Sequence, residues 1–181
     1  MKTKTNNLVL GALFSAMSFV FLFLSGIIPG VEMTLYAAAS AFPALMILEA
    51  GRAAWHEGKQ PSAIPGIMVY AVTVLLGFLL MPNKLAIVPY ALFFGIWGII
   101  KYYIEKFNHP VTRNGLKIIV FGGLFSVGYL GFREICFDNI TMPDLAFPIM
   151  LIAAVAVLML YDYIFSLGIQ YYIKRVHGGK L

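Results

Sequence analysis

The sequence predicts an all-α integral membrane protein, six transmembrane helices in one bundle with both termini on the cytoplasmic side. Three observations carry that expectation. Of 181 residues, 61% are hydrophobic and only 12% charged, with a mean hydropathy of +0.87, whereas a soluble domain is about half apolar and about one quarter charged. The apolar residues form continuous runs, unlike the alternating ~10-residue strands of a membrane barrel. The basic residues cluster at the ends of those runs, as topology signals do. Six spans of ~20 residues use about 120 positions and leave about 61 for loops and tails, too few for an independent soluble domain.

The first run, Leu8 to Ile28, follows Lys2 and Lys4. It exceeds the ~7–15 residue core of a signal peptide, and the stretch around Ser25 has no small-x-small cleavage site, so it reads as a retained helix. The others are Thr34–Ala50, Ala63–Met81, Leu85–Ile104, Leu116–Phe132 and Leu145–Tyr172, separated by Pro, Gly and charged residues. The last is long enough to span and continue past the lipid. With alternate loops on opposite sides and the N-terminus inside, the cytoplasmic segments collect all but Lys84 and Arg133 of the 13 Lys and Arg residues. Missing a span would move every later loop to the other side and degrade the split, so the bias supports the number of spans as well as the orientation.

Several classes are disfavoured. A single cysteine, Cys136, makes no intramolecular disulfide, and His56, His109 and His177 lie too far apart for a metal-ligand pattern. The net charge of +5 is explained by topology rather than by nucleic acid. The chain lacks a phosphate-binding loop, a His-Glu-x-x-His motif, a nucleophile elbow and a dinucleotide fingerprint, so neither catalysis nor a cofactor is expected. No repeat relates the two halves, which gives no support to an inverted-repeat transporter.

Within the spans, Asp162 is the main charge. It lies about 17 residues into the last run, roughly 26 Å along a helix. It reads either as an interfacial group paired with Lys or Arg between Tyr161 and Tyr163, or as a gate or proton site. Pro43, inside the second run, withholds an amide and frees the Ala39 carbonyl, so a neighbouring polar group is required. Pro89 falls in the first turn of the fourth run, where a missing amide matters less. Small residues stripe the first helix as Gly11-x-x-x-Ser15 and Ala12-x-x-x-Ala16. They recur at Ala37–Ala41 and at Gly122, Gly123, Gly128 and Gly131, for packing inside the monomer or for docking a partner.

The connections on the outer side carry Glu32, Asn83, Lys84, Arg133, Glu134, Asp138, Asn139 and Asp144. Groups of both signs over rigid helix ends suit either a small polar ligand or a solvated rim with helix caps. Glu32, Asn83, Lys84, Arg133 and Glu134 are the candidate substrate-binding residues, and Gly131 to Asp144 the candidate lid.

With about 180 residues, six helices, cytoplasmic termini, Ala12-x-x-x-Ala16 in the first helix and a polar outer face, the chain resembles an S component, the substrate-binding membrane subunit of an energy-coupling-factor vitamin transporter. It is also similar to small Gram-positive membrane proteins of unassigned activity around Leu80-Met-Pro-Asn-Lys-Leu85 and Tyr90-Ala-Leu-Phe-Phe-Gly95. The S-component resemblance implies a vitamin-like solute captured among the outer helix ends and loops. It further implies docking through Ala12 and Ala16 onto a transmembrane coupling protein driven by two ATPases. The competing readings are a non-transporting scaffold of the cell envelope and a stand-alone carrier or channel.

Overall fold

The computed structural model describes the backbone of residues 2–107, 109–137 and 146–177, and the side chains of residues 5–107, 109–129 and 148–175. Among these residues the structure is all-helical, with no strand. The elements are α1 (Lys2–Ser25), α2 (Glu32–His56), α3 (Ile64–Leu80), a 3₁₀ turn (Lys84–Ile87), a π-helical turn (Tyr90–Phe94), α4 (Gly95–Ile104), α5 (Pro110–Phe137) and α6 (Ala146–His177). Four segments among the described residues are long and apolar enough to cross a membrane: Thr5–Ser25, Glu32–His56, Lys84–Ile104 and Pro148–Arg175. At 17 residues α3 is a shorter apolar helix. These helices fit a membrane protein.

Helix ends differ from the sequence expectation where local capping is stronger than composition. The sequence ends the second run at Ala50, yet α2 continues to His56. There Gly58 adopts a left-handed φ of +67°, Lys59 N donates to Ala54 O at 2.8 Å and Gly58 N donates to Trp55 O at 3.0 Å. This pair of bonds is a Schellman ending, which satisfies the last carbonyls and favours glycine. The fourth run was expected as one helix over 85–104, but α-helical geometry starts only at Gly95. Pro82 and the extended Met81 stop α3, Asn83 Oδ1 accepts from Leu85 N at 3.0 Å to start the 3₁₀ turn, and Pro89 interrupts it. Five residues beyond the expected end at Phe132 are still helical in α5.

The chain divides into two compact units, Met1–Tyr103 with Ile169–Leu181, and Ile104–Gly168. In the first, α1, α2 and α3 pack on one another and on the irregular segment before α4. Its core holds Leu22, Met46, Val69, Ile87, Tyr90 and Trp97. At Gly66 a Cβ would stand 2.6 Å from the Pro43 carbonyl oxygen; only a hydrogen fits, and α3 comes in close beside the proline. The end of α6 joins this unit through Tyr172, whose hydroxyl donates to Glu49 Oε1 at 2.9 Å. In the second unit, Phe121 of α5 and Phe165 of α6 are buried. Only 11% of the residues in the apolar window of α6 are buried.

Candidate functional site

The polar chemistry of the first unit gathers where two prolines break backbone ladders. Pro43 leaves the Ala39 carbonyl without its i+4 amide, and Ser18 Oγ of α1 donates to that carbonyl at 2.9 Å. The polar neighbour required by the sequence is therefore present. The same Ser18 hydroxyl lies 3.0 Å from Tyr90 OH, and Ser18, Ser40, Thr73 and Tyr90 are fully enclosed.

Pro89 repeats the situation between the 3₁₀ and π-helical turns. A residue there would donate to the carbonyl three positions back, Ala86, and Tyr36 OH donates to that oxygen instead at 2.6 Å. One residue into the π-helical turn, Ala91 O accepts from Tyr70 OH at 2.9 Å. Three hydroxyls from α1, α2 and α3 thus donate to backbone carbonyls at or beside the two proline breaks. A Cβ at Gly95 would lie 2.8 Å from the Tyr70 ring and 2.9 Å from the Tyr90 ring, which explains the glycine that ends the π-helical turn. Such turns are concentrated at functional positions. Among the described residues, no buried side-chain nitrogen or oxygen lacks a hydrogen-bond partner.

The outer candidates fall at helix ends. Glu32 Oε2 accepts from Gly30 N at 2.9 Å, just ahead of α2. Asn83 caps the 3₁₀ turn. Lys84 Nζ donates to Phe78 O and, at 2.8 Å, to Met81 O, placing a cation on the C-terminal carbonyls of α3, where the helix dipole favours it. The structure brings these three to the same end of the first unit, because Met81 packs beside Gly26 at the end of α1 and Tyr36 bonds Ala86. Arg133 and Glu134 lie on the helical backbone of α5, with side chains outside the described residues. Of the expected lid, residues 131–137 are helical and the remainder lies outside the described residues.

On α1 the two small-residue patterns separate, correcting their reading as one stripe. Ser15 is buried with Phe14, Ser18 and Leu22, whereas Ala12 and Ala16 are exposed. Consecutive positions differ by about 100° around a helix of 3.6 residues per turn, so two offset i, i+4 pairs look in different directions. Ala12 and Ala16 share their face with Leu8, Leu13 and Val20, all more than half exposed.

In the second unit, Asp162 forms a buried ion pair with Lys117 of α5. This matches the paired reading of Asp162 and names the partner. Sequence reasoning missed Ser18, Tyr36, Tyr70 and Tyr90 as a functional set. The available signal was the pair of prolines, each of which asks for a donor from elsewhere. The apolar helices fit the class of helical membrane proteins, and in the first unit buried hydroxyls bond backbone carbonyls beside the two prolines. Comparison with protein-family models, with curated proteins and with solved structures finds no match in any of the three.

Proposed function

We propose that the chain is a six-span membrane protein with both termini cytoplasmic, acting as the substrate-binding subunit for uptake of a small, vitamin-like solute. A separate transmembrane coupling protein with its ATPases energises it, and the chain itself performs no catalytic step. The observation that carries this reading is the exposure of Ala12 and Ala16. A small-residue pair on an exposed apolar helix face lets a partner helix approach closely. Glu32, Asn83 and Lys84, gathered at one end of the helices, are the solute candidates together with Arg133 and Glu134.

The capping contacts of Glu32, Asn83 and Lys84 favour a second reading, a scaffold of the cell envelope that uses the same α1 face without moving a solute. One pair of variants tests the first reading. Ala12→Leu with Ala16→Leu leaves the melting temperature of the purified protein unchanged, because both side chains point away from its core, and it abolishes co-purification of the coupling protein and solute uptake. A folded double variant with normal uptake overturns the coupled-carrier reading. Loss of the partner without any uptake activity in the parent protein selects the scaffold.

A further inference from the structure

A second feature of the first unit lies at its opposite end, where α2 stops and α3 begins. A pocket of about 190 Å³ has a floor of Ala50, Ala53 and Ala54, a wall at Pro65, and a mouth edged by Asn7, Glu57, Lys59, Gln60 and Ser62. We propose that this pocket binds a zwitterionic group joining an ammonium to a phosphate, the chemistry of a phosphoethanolamine headgroup. The inference is independent of the solute reading and of the α1 docking face.

The Schellman turn at Gly58 holds two opposite charges at the mouth. Glu57 and Lys59 pair with each other at 2.5 Å, with the lysine side chain 66% exposed. An exposed pair of this kind contributes only ~0–1 kcal/mol, so a ligand carrying the complementary charges opens it with little loss. The ammonium then meets the Glu57 carboxylate and the phosphate meets the Lys59 ammonium. The Asn7 and Gln60 amides are further donors to phosphate oxygen. The alanine floor supplies no charge, and the volume is below the ~300–1,000 Å³ of pockets that take drug-sized ligands, which limits the occupant to a headgroup.

The surroundings point to a lipid as the source. Trp55, next to the pocket-lining Ala54, is 76% exposed, and tryptophan is enriched where membrane meets water. Leu8, next to Asn7, is 75% exposed and Ile64, next to Pro65, is 58% exposed. Exposed apolar side chains thus stand on each of the three helices that line the pocket.

The test uses the full-length protein stripped of lipid in detergent, with binding read by native mass spectrometry against phosphatidylethanolamine, phosphatidylglycerol and water-soluble glycerophosphoethanolamine. The expected result is a preference for phosphatidylethanolamine over phosphatidylglycerol of at least about tenfold, a difference of ~1.4 kcal/mol. Glu57→Gln with Lys59→Gln, both on an exposed turn, removes that preference without lowering the melting temperature. Ala53→Leu fills the floor and removes binding; if that variant does not fold, the charge variant alone decides. Binding of glycerophosphoethanolamine as tight as that of the lipid confirms the headgroup chemistry and assigns its source to solution, while weaker binding assigns it to the membrane. Equal binding of the two lipids by the parent protein, or a preference that survives loss of both charges, overturns the proposal.

Discussion

Asp162→Ala is expected to destabilise the second unit by roughly 3–5 kcal/mol, because it leaves the buried Lys117 ammonium without its counter-charge. Both groups are more than nine-tenths enclosed, so Lys117 has neither the carboxylate nor bulk water to solvate it. Desolvating an isolated ammonium is far more costly than removing a matched pair. For that reason Asp162→Leu combined with Lys117→Leu costs much less than either single change. Equilibrium unfolding of the three variants in mixed micelles gives the comparison. If the double variant loses the sum of the two single losses, the pair does not act as a unit.

Ser18→Ala is the second large expected effect. It strips a donor from the Ala39 carbonyl and a partner from the Tyr90 hydroxyl, both buried. An orphaned buried polar group costs about 1–3 kcal/mol. The cause is the missing amide of Pro43, which gives the prediction a second arm. Pro43→Ala restores an N–H that returns to Ala39 O through the ordinary helical bond. In that background Ser18→Ala loses clearly less stability than in the parent, a coupling of the size seen for residues sharing one acceptor. Additive losses in the double variant, measured by the same unfolding assay, would show that Ser18 does not serve the proline break.

How much of this was legible follows from the same residues. Continuous apolar runs and terminal charges announce helices for a membrane, and every regular element among the described residues is helical. Pro43 announced a carbonyl in need of a donor, that of Ala39, but Ser18, 21 positions before Ala39, read only as a small packing residue. Tyr36 and Tyr70 sit in apolar runs where tyrosine is unremarkable, and their acceptors, Ala86 and Ala91, are backbone atoms that no side-chain pattern marks. The fourth run concealed its 3₁₀ and π-helical turns because its composition is uniformly apolar; only Pro89 signalled a break, and an early proline is equally at home in the first turn of a helix. Asp162 asked for a basic partner, and several positions qualified. The ion pair between α5 and α6 selects Lys117, 45 residues away. At the outer end, charge in loops does not distinguish a ligand contact from a helix cap. Geometry does so for Lys84, whose ammonium lies on the last carbonyls of α3.

The α1 stripe shows the limit of i, i+4 patterns. Gly11-x-x-x-Ser15 and Ala12-x-x-x-Ala16 are equivalent as sequence, and only the packing of α1 against α2 and α3 assigns one to the interior and the other to the outside. That assignment underlies the docking proposal, and the membrane topology underlies the whole account.

Cysteine accessibility measures that topology most directly. In a Cys136→Ser background, Glu57→Cys and Asn83→Cys place single thiols at the two ends of α3, one in the turn after α2 and one in the cap of the 3₁₀ turn. With intact cells, a membrane-impermeant maleimide is expected to label position 83 at once and position 57 only after the membrane is opened. Labelling of both positions from the same face would contradict the crossing of α3 and with it the six-span arrangement.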